Sequence, residues 1–97
     1  MILVRVSDNH IKISGHANYS DGNDIVCASV SSIMYTTVNA IMSFDKDAII
    51  YEDNNDVVTI KNIKKDEITN KLIDNMINLF DNLKNDYPKN INIIEED

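Results

Sequence analysis

The sequence predicts an α+β fold, a helix-and-sheet sandwich of element order ββαββαβ with two helices packed on a mixed or antiparallel sheet. Three observations lead there. Apolar residues alternate with polar ones in short stretches at the start, in the middle and near the end of the chain; Ile25 to Phe44 contains no charged residue; and apolar residues recur at helical spacing between Asp66 and Tyr87. Ninety-seven residues suffice for one core and not for two, so a single domain spanning residues 1–97 is expected.

In the first strand Ile2, Val4 and Val6 face one way and Leu3, Arg5 and Ser7 the other. Asp8-Asn9 is turn chemistry, and Ile11 and Ile13 follow as the second strand of a hairpin. Periodicity then lapses from Gly15 to Asn23, where Gly15, Asn18, Ser20, Asp21, Gly22 and Asn23 mark a flexible loop. Asp24 is an N-cap for the uncharged helix, on which Val26, Val30, Ile33, Met34, Val38, Ile41 and Met42 recur at helical spacing. With so little polar surface this helix is expected to be buried on most sides, its methionines included. Ala48–Glu52 and Val57–Lys61 read as a second hairpin around Asp53–Asp56. The second helix, Asp66 to Tyr87, places Ile68, Leu72, Met76, Leu79, Leu83 and Tyr87 on one stripe and stops before Pro88. Ile91 and Ile93 suggest a last short strand before the acidic Glu95-Glu96-Asp97. Hairpins favour antiparallel pairing, and such a sheet has edges able to dock an extended peptide or a second copy of the chain.

Acidic residues outnumber basic ones sixteen to nine, a net charge of -7 that would repel a phosphate backbone; direct nucleic-acid binding is not expected, whereas a basic ribosomal protein or peptide would be attracted. No apolar run is expected to reach the roughly twenty residues that cross a bilayer, and Met1 leads straight into a strand, so a soluble, cytoplasmic protein with no membrane partner is expected. Cys27 is the single cysteine, which excludes an intramolecular disulfide and a multi-thiolate zinc site. A metal site on His16, Cys27 and Asp24 lacks close ligand spacing, and neither a metal nor a cofactor is expected.

His16 follows the second strand and Cys27 lies in the first turn of the helix capped by Asp24; the loop between them can return one towards the other. A helix N-terminus carries roughly half a positive charge and unpaired N–H groups, both of which favour a thiolate over a thiol. An imidazole within reach can share an ion pair with that thiolate and later protonate a leaving amine, while nearby N–H groups stabilise an oxyanion. Ser31, one turn beyond Cys27, shares its face; Asp24 could cap the helix or orient His16. The plainer alternatives stand beside this. A lone helical Cys is commonly a small buried hydrophobe, a His at a strand end a turn residue, Ser31 a self-satisfied helix serine, and Gly15 and Gly22 turn formers. On that reading the chain is a non-enzymatic peptide-binding or assembly module, its free sheet edges and acidic surface the parts that would bind.

The string Gly15-His16-Ala17, followed by Asp24-Ile25-Val26-Cys27-Ala28 and then Val30-Ser31, resembles the signature of the Prp family of bacterial ribosomal-processing cysteine proteases. The resemblance implies a cysteine endopeptidase with His16 and Cys27 as a catalytic dyad, Asp24, Ser31 and Gly15 in support, and a mobile substrate loop containing Ala17, Asn18, Tyr19 and Gly22. It further implies a homodimer. The implied substrate is the precursor of large-subunit ribosomal protein twenty-seven, whose N-terminal extension is removed so that the mature protein can join the ribosome. Two departures stand out: the loop is about one residue shorter than is usual in the family, and Asn18 occupies a position where members commonly carry Gly.

Overall fold

The computed structural model describes residues 1–96. Seven elements follow the expected order: β1 Ile2–Val6, β2 Ile11–Ser14, α1 Ile25–Phe44, β3 Ile50–Asp53, β4 Val57–Lys61, α2 Glu67–Asp86 and β5 Ile91–Glu95. The strands form one sheet in the order β3-β4-β2-β1-β5. Its contiguous pairs are antiparallel except β1 with β5, which run parallel from Ile2↔Ile91 to Val6↔Glu95, so the sheet is mixed.

Alternation decides which side of the sheet is covered. Ile2, Val4, Val6, Ile11, Ile13, Ile60 and Ile91 are buried beneath the two helices, while Arg5 and Lys12, paired across β1 and β2, are exposed on the opposite face. α1 and α2 lie against each other on the covered side. Phe80, Met76, Ile41 and Val26 are among the fully buried side chains where helices and sheet meet.

The helices depart from expectation in which residues they bury. α1 is not buried on most sides: Val26, Val30, Met34, Thr37, Val38 and Ile41 form the buried stripe, whereas Ile25, Tyr35, Met42 and Phe44 are exposed, Phe44 by 69%. A helix lying on a one-layer sheet has only one neighbouring helix, and its outer side is left open. By length and composition α1 also meets the requirement for crossing a membrane, which corrects the expectation that no run does; here its buried stripe belongs to the common core. α2 is rotated relative to the expected stripe. Thr69, Ile73, Met76 and Phe80 are its buried residues, with Leu72, Leu83 and Tyr87 partly buried and Ile68 and Leu79 exposed. Spacing by three and four admits both stripes, and the packing against α1 selects one. β3 starts at Ile50, two residues late, because the Ala48 carbonyl accepts from Lys64 N–H at 2.8 Å instead of joining a strand ladder.

Candidate active site

Strand register determines what surrounds the exit of β2. Ser14 is paired with Leu3 on one side and Val57 on the other, so the start of β1 and the β3–β4 turn both stand beside Gly15 and His16. Gly15 leaves the strand with φ +86°, and a Cβ there would collide with the Met1 carbonyl oxygen. A left-handed turn without a side chain lets the chain pass β1 this closely and deliver His16 to the site.

The loop then folds back onto the start of α1. Asn18 has φ +55°, a left-handed conformation that Asn tolerates better than most residues. Asp24 caps α1 as expected. Its Oδ1 accepts from Val26 N–H at 3.0 Å and Cys27 N–H at 3.1 Å, and its Oδ2 accepts from Tyr19 N–H at 3.0 Å. One carboxylate therefore ties the loop between β2 and α1 to the helix. Gly22 has open space around it and imposes no steric requirement.

Those bonds hold the Asp24 carboxyl below its ordinary 3.8, through the Cys27 N–H first, against an opposing effect of burial, with Tyr19 and Val26 adding to the lowering. The folded protein binds this proton more weakly than the unfolded chain does. The contribution of the charged cap is thus complete above the ordinary value and lost as pH falls through the folded one, below 3.8. Denaturation of wild type and Asp24→Asn across this range should show the wild type more stable near neutrality and the two converging in acid. A difference that persists undiminished at the acid end would remove charge as its source.

Cys27 is the third residue of α1 and half-buried, and its Sγ accepts from Ala17 N–H at 3.3 Å. Ala17 is buried, and its carbonyl accepts from Asn90 Nδ2 at 2.9 Å. Tyr19 packs edge-on against Tyr87 at the end of α2, with ring centroids 5.2 Å apart. The capping pattern corrects one expectation. The N–H groups of Val26 and Cys27 are committed to the Asp24 side chain and that of Ala28 to the Asp24 carbonyl, so these first-turn amides do not stand unpaired beside the sulfur.

Cys27, His16, Ser31 and Gly15 line one cleft of about 270 Å³. Its floor is apolar, built from Ile2, Ile13, Val30, Met34 and Val58, and its far wall is Tyr35 with Asp53, Asn55 and Asp56 of the β3–β4 turn. Tyr35 and Tyr51 meet edge-on, with ring centroids 6.3 Å apart, and both hydroxyls donate to Asp53 Oδ2 at 3.5 Å, which holds that turn against α1. Burial first, then the neighbouring Tyr35 and Asp53, push the Tyr51 phenol well above its ordinary value, so it is a neutral donor. His16 is exposed at the mouth of the cleft, and among the described residues Asp24 bonds the loop and the helix rather than His16. Asp24, Ala17, Asn18, Tyr19 and Gly22 act around the cleft, not in its lining.

Sequence reasoning missed the far wall and the Asn90–Tyr87 anchor. Tyr35 was within its reach, eight residues after Cys27 on the face shared with Ser31. The turn and Asn90 carry no local signal, because strand order alone brings them here.

Comparison with known proteins agrees with this geometry. Residues 1–92 match the family model described as cysteine protease Prp. The chain is 29% identical over 85 residues to the ribosomal processing cysteine protease Prp of Staphylococcus aureus, covering 84% of this chain and 80% of that one. It is 34% identical over 61 residues to the protein of the same name from Mycoplasma genitalium, covering 62% and 59%. In three dimensions it superposes on the S. aureus protease, solved in complex with a covalently linked product peptide, with a TM-score of 0.87 and 25% identity over 99% of this chain and 100% of that one. A thiol at a capped helix start, a histidine on the same cleft and a family match over almost the whole length lead to one assignment: the chain belongs to the Prp family of cysteine proteases.

Proposed function

We propose that this protein is the cytoplasmic endopeptidase that removes the N-terminal extension of large-subunit ribosomal protein twenty-seven, with Cys27 as nucleophile and His16 as its acid–base partner. The observation that carries this reading is the shared cleft: a sulfur at a helix N-terminus, already accepting an N–H bond from Ala17, opens onto the same space as an exposed imidazole. The Cys27 thiolate attacks the scissile carbonyl, forming the C–S bond and pushing the carbonyl electrons onto oxygen. Collapse of that intermediate breaks the C–N bond, and His16 gives its proton to the departing amine. Water, deprotonated by His16, then attacks the thioester and releases Cys27. With the first-turn amides held by Asp24, the Ala17 N–H is the donor best placed to turn from the sulfur to the oxyanion as charge moves between them. Ser31 stands on the cleft wall one turn from Cys27, within the space a substrate would occupy.

The S. aureus relative has been crystallised with a substrate peptide and with a covalently linked product peptide, which supports an extended peptide as ligand here. The apolar floor suits a bulky side chain near the cut. A net charge of -7, with Asp53 and Asp56 on the rim, suits a basic ribosomal protein. A synthetic peptide spanning the junction of that precursor should be cut once, as read by mass spectrometry; recovery of the intact peptide after prolonged incubation would refute the assignment of substrate. The reading includes a homodimer, supported by the exposed Ile25, Met42 and Phe44 on α1. Sedimentation equilibrium should return twice the chain mass, and a monomer at tens of micromolar would count against it.

A further inference from the structure

Asn90 lies 73 residues from Ala17 in the chain, outside every motif that marks the active site, yet its side chain bonds directly to the loop that carries His16. Ala17 sits between two left-handed residues, Gly15 and Asn18, and no strand ladder reaches beyond Ser14. The loop's conformation is set by the buried Ala17 methyl, the Tyr19 N–H on Asp24, the Tyr19 ring on Tyr87, and the Ala17 carbonyl on Asn90 Nδ2. Asn90 is itself a fixed point. Its N–H donates to the Tyr87 carbonyl at 3.0 Å and its carbonyl accepts from Ile2 N–H at 2.9 Å, so it is fastened to the end of α2 and to β1.

We propose that Asn90 is a positioning residue of the protease: by holding the Ala17 carbonyl it keeps the Ala17 N–H aimed at the Cys27 sulfur and His16 at the cleft mouth. The proposal rests on Cys27 being the nucleophile. Fixing one side of a residue's two peptide planes restricts the other, so the bond from Asn90 to the carbonyl is felt at the N–H that meets the sulfur. An N–H donor stabilises a sulfur anion more than a neutral thiol, so loosening it penalises the thiolate and, later in the reaction, the oxyanion. The expected signature lies in sulfur reactivity and turnover, with little change in peptide affinity, because Asn90 is not part of the cleft lining.

The test is Asn90→Leu, which keeps the shape and removes the donor. The rate of Cys27 alkylation by iodoacetamide is measured against pH, and peptide cleavage is measured alongside. The alkylation profile should move to higher pH by about half a unit to one unit. The turnover rate kcat should fall roughly tenfold while KM stays within about twofold. A folded Asn90→Leu protein with the wild-type alkylation profile would overturn the proposal, because a purely structural contribution lowers the melting temperature without moving that profile. Should this variant not fold, the wild-type protein answers by NMR. The Ala17 N–H and Asn90 side-chain amide resonances should both shift as Cys27 ionises, and an unmoving Asn90 amide would overturn the inference. Alkylation needs no substrate, so failure of the wild type to cut the ribosomal peptide counts against the substrate assignment and leaves this result standing.

Discussion

Cys27→Ala should abolish peptide cleavage, with a loss on the order of ten-thousand-fold or more in kcat, while leaving a folded protein. The sulfur is half-buried on the wall of an open cleft, not in the packed core, so its removal deletes the proposed nucleophile and one N–H acceptor and opens no large cavity. His16→Ala should also be severely impaired, by roughly a hundredfold to ten-thousandfold, since the Cys27 sulfur can still attack but lacks a proton donor for the leaving amine. The two variants separate in an alkylation assay: His16→Ala should still react with iodoacetamide, more slowly near neutrality, and Cys27→Ala should not react at all. Undiminished cleavage by Cys27→Ala would remove this residue from the nucleophile's place. Wild-type turnover in His16→Ala would show that the proton comes from elsewhere in the cleft.

The second large effect should come from Gly15. In Gly15→Ala the new methyl must occupy the space of the Met1 carbonyl oxygen in a left-handed conformation, so the chain has to move where β2 leaves the sheet. The conformational penalty alone is roughly 1–2 kcal/mol, and relieving the collision adds to it. For a chain of this length that corresponds to a fall in melting temperature of about 10 °C or more. His16, the proposed acid–base group, follows directly, and displacement of such a group by about 1 Å can cost on the order of a hundredfold in rate, so activity should fall even below the new melting point. Gly22→Ala is the matched control. Gly22 lies in the same loop with nothing near its missing side chain, and its substitution should leave the melting temperature almost unchanged. Equal losses in the two variants would mean that general loop flexibility, and not the close passage beside β1, is what Gly15 supplies.

Several parts of the site were legible because their physics is local. An uncharged run after Asp24 announces a capped helix, and the cap is the bond pattern observed, Val26 and Cys27 N–H on one carboxylate oxygen. The position of Cys27 in the first turn follows from the cap, and His16 follows from the end of β2. What local reasoning misjudged were the surfaces on which elements meet. Of the expected α2 stripe the fold buries Met76 fully and Leu72, Leu83 and Tyr87 in part, but it leaves Ile68 and Leu79 exposed and adds Ile73 and Phe80. On α1, expected to be buried on most sides, Met42 and Phe44 remain exposed. In each case the spacing of apolar residues permits more than one stripe, and only the neighbouring element selects among them.

By itself the sequence determined the order of elements, their approximate limits and the cap on α1, since each depends on residues within a few turns of one another. Only the tertiary structure decided that β4 would lie beside β2 and β5 beside β1. That strand order sets the Asp53–Asp56 turn against the cleft and places Asn90 where it can hold the Ala17 carbonyl. Contacts across 40 or 70 residues depend on which apolar faces bury one another best, a comparison among whole packings that no stretch of sequence contains.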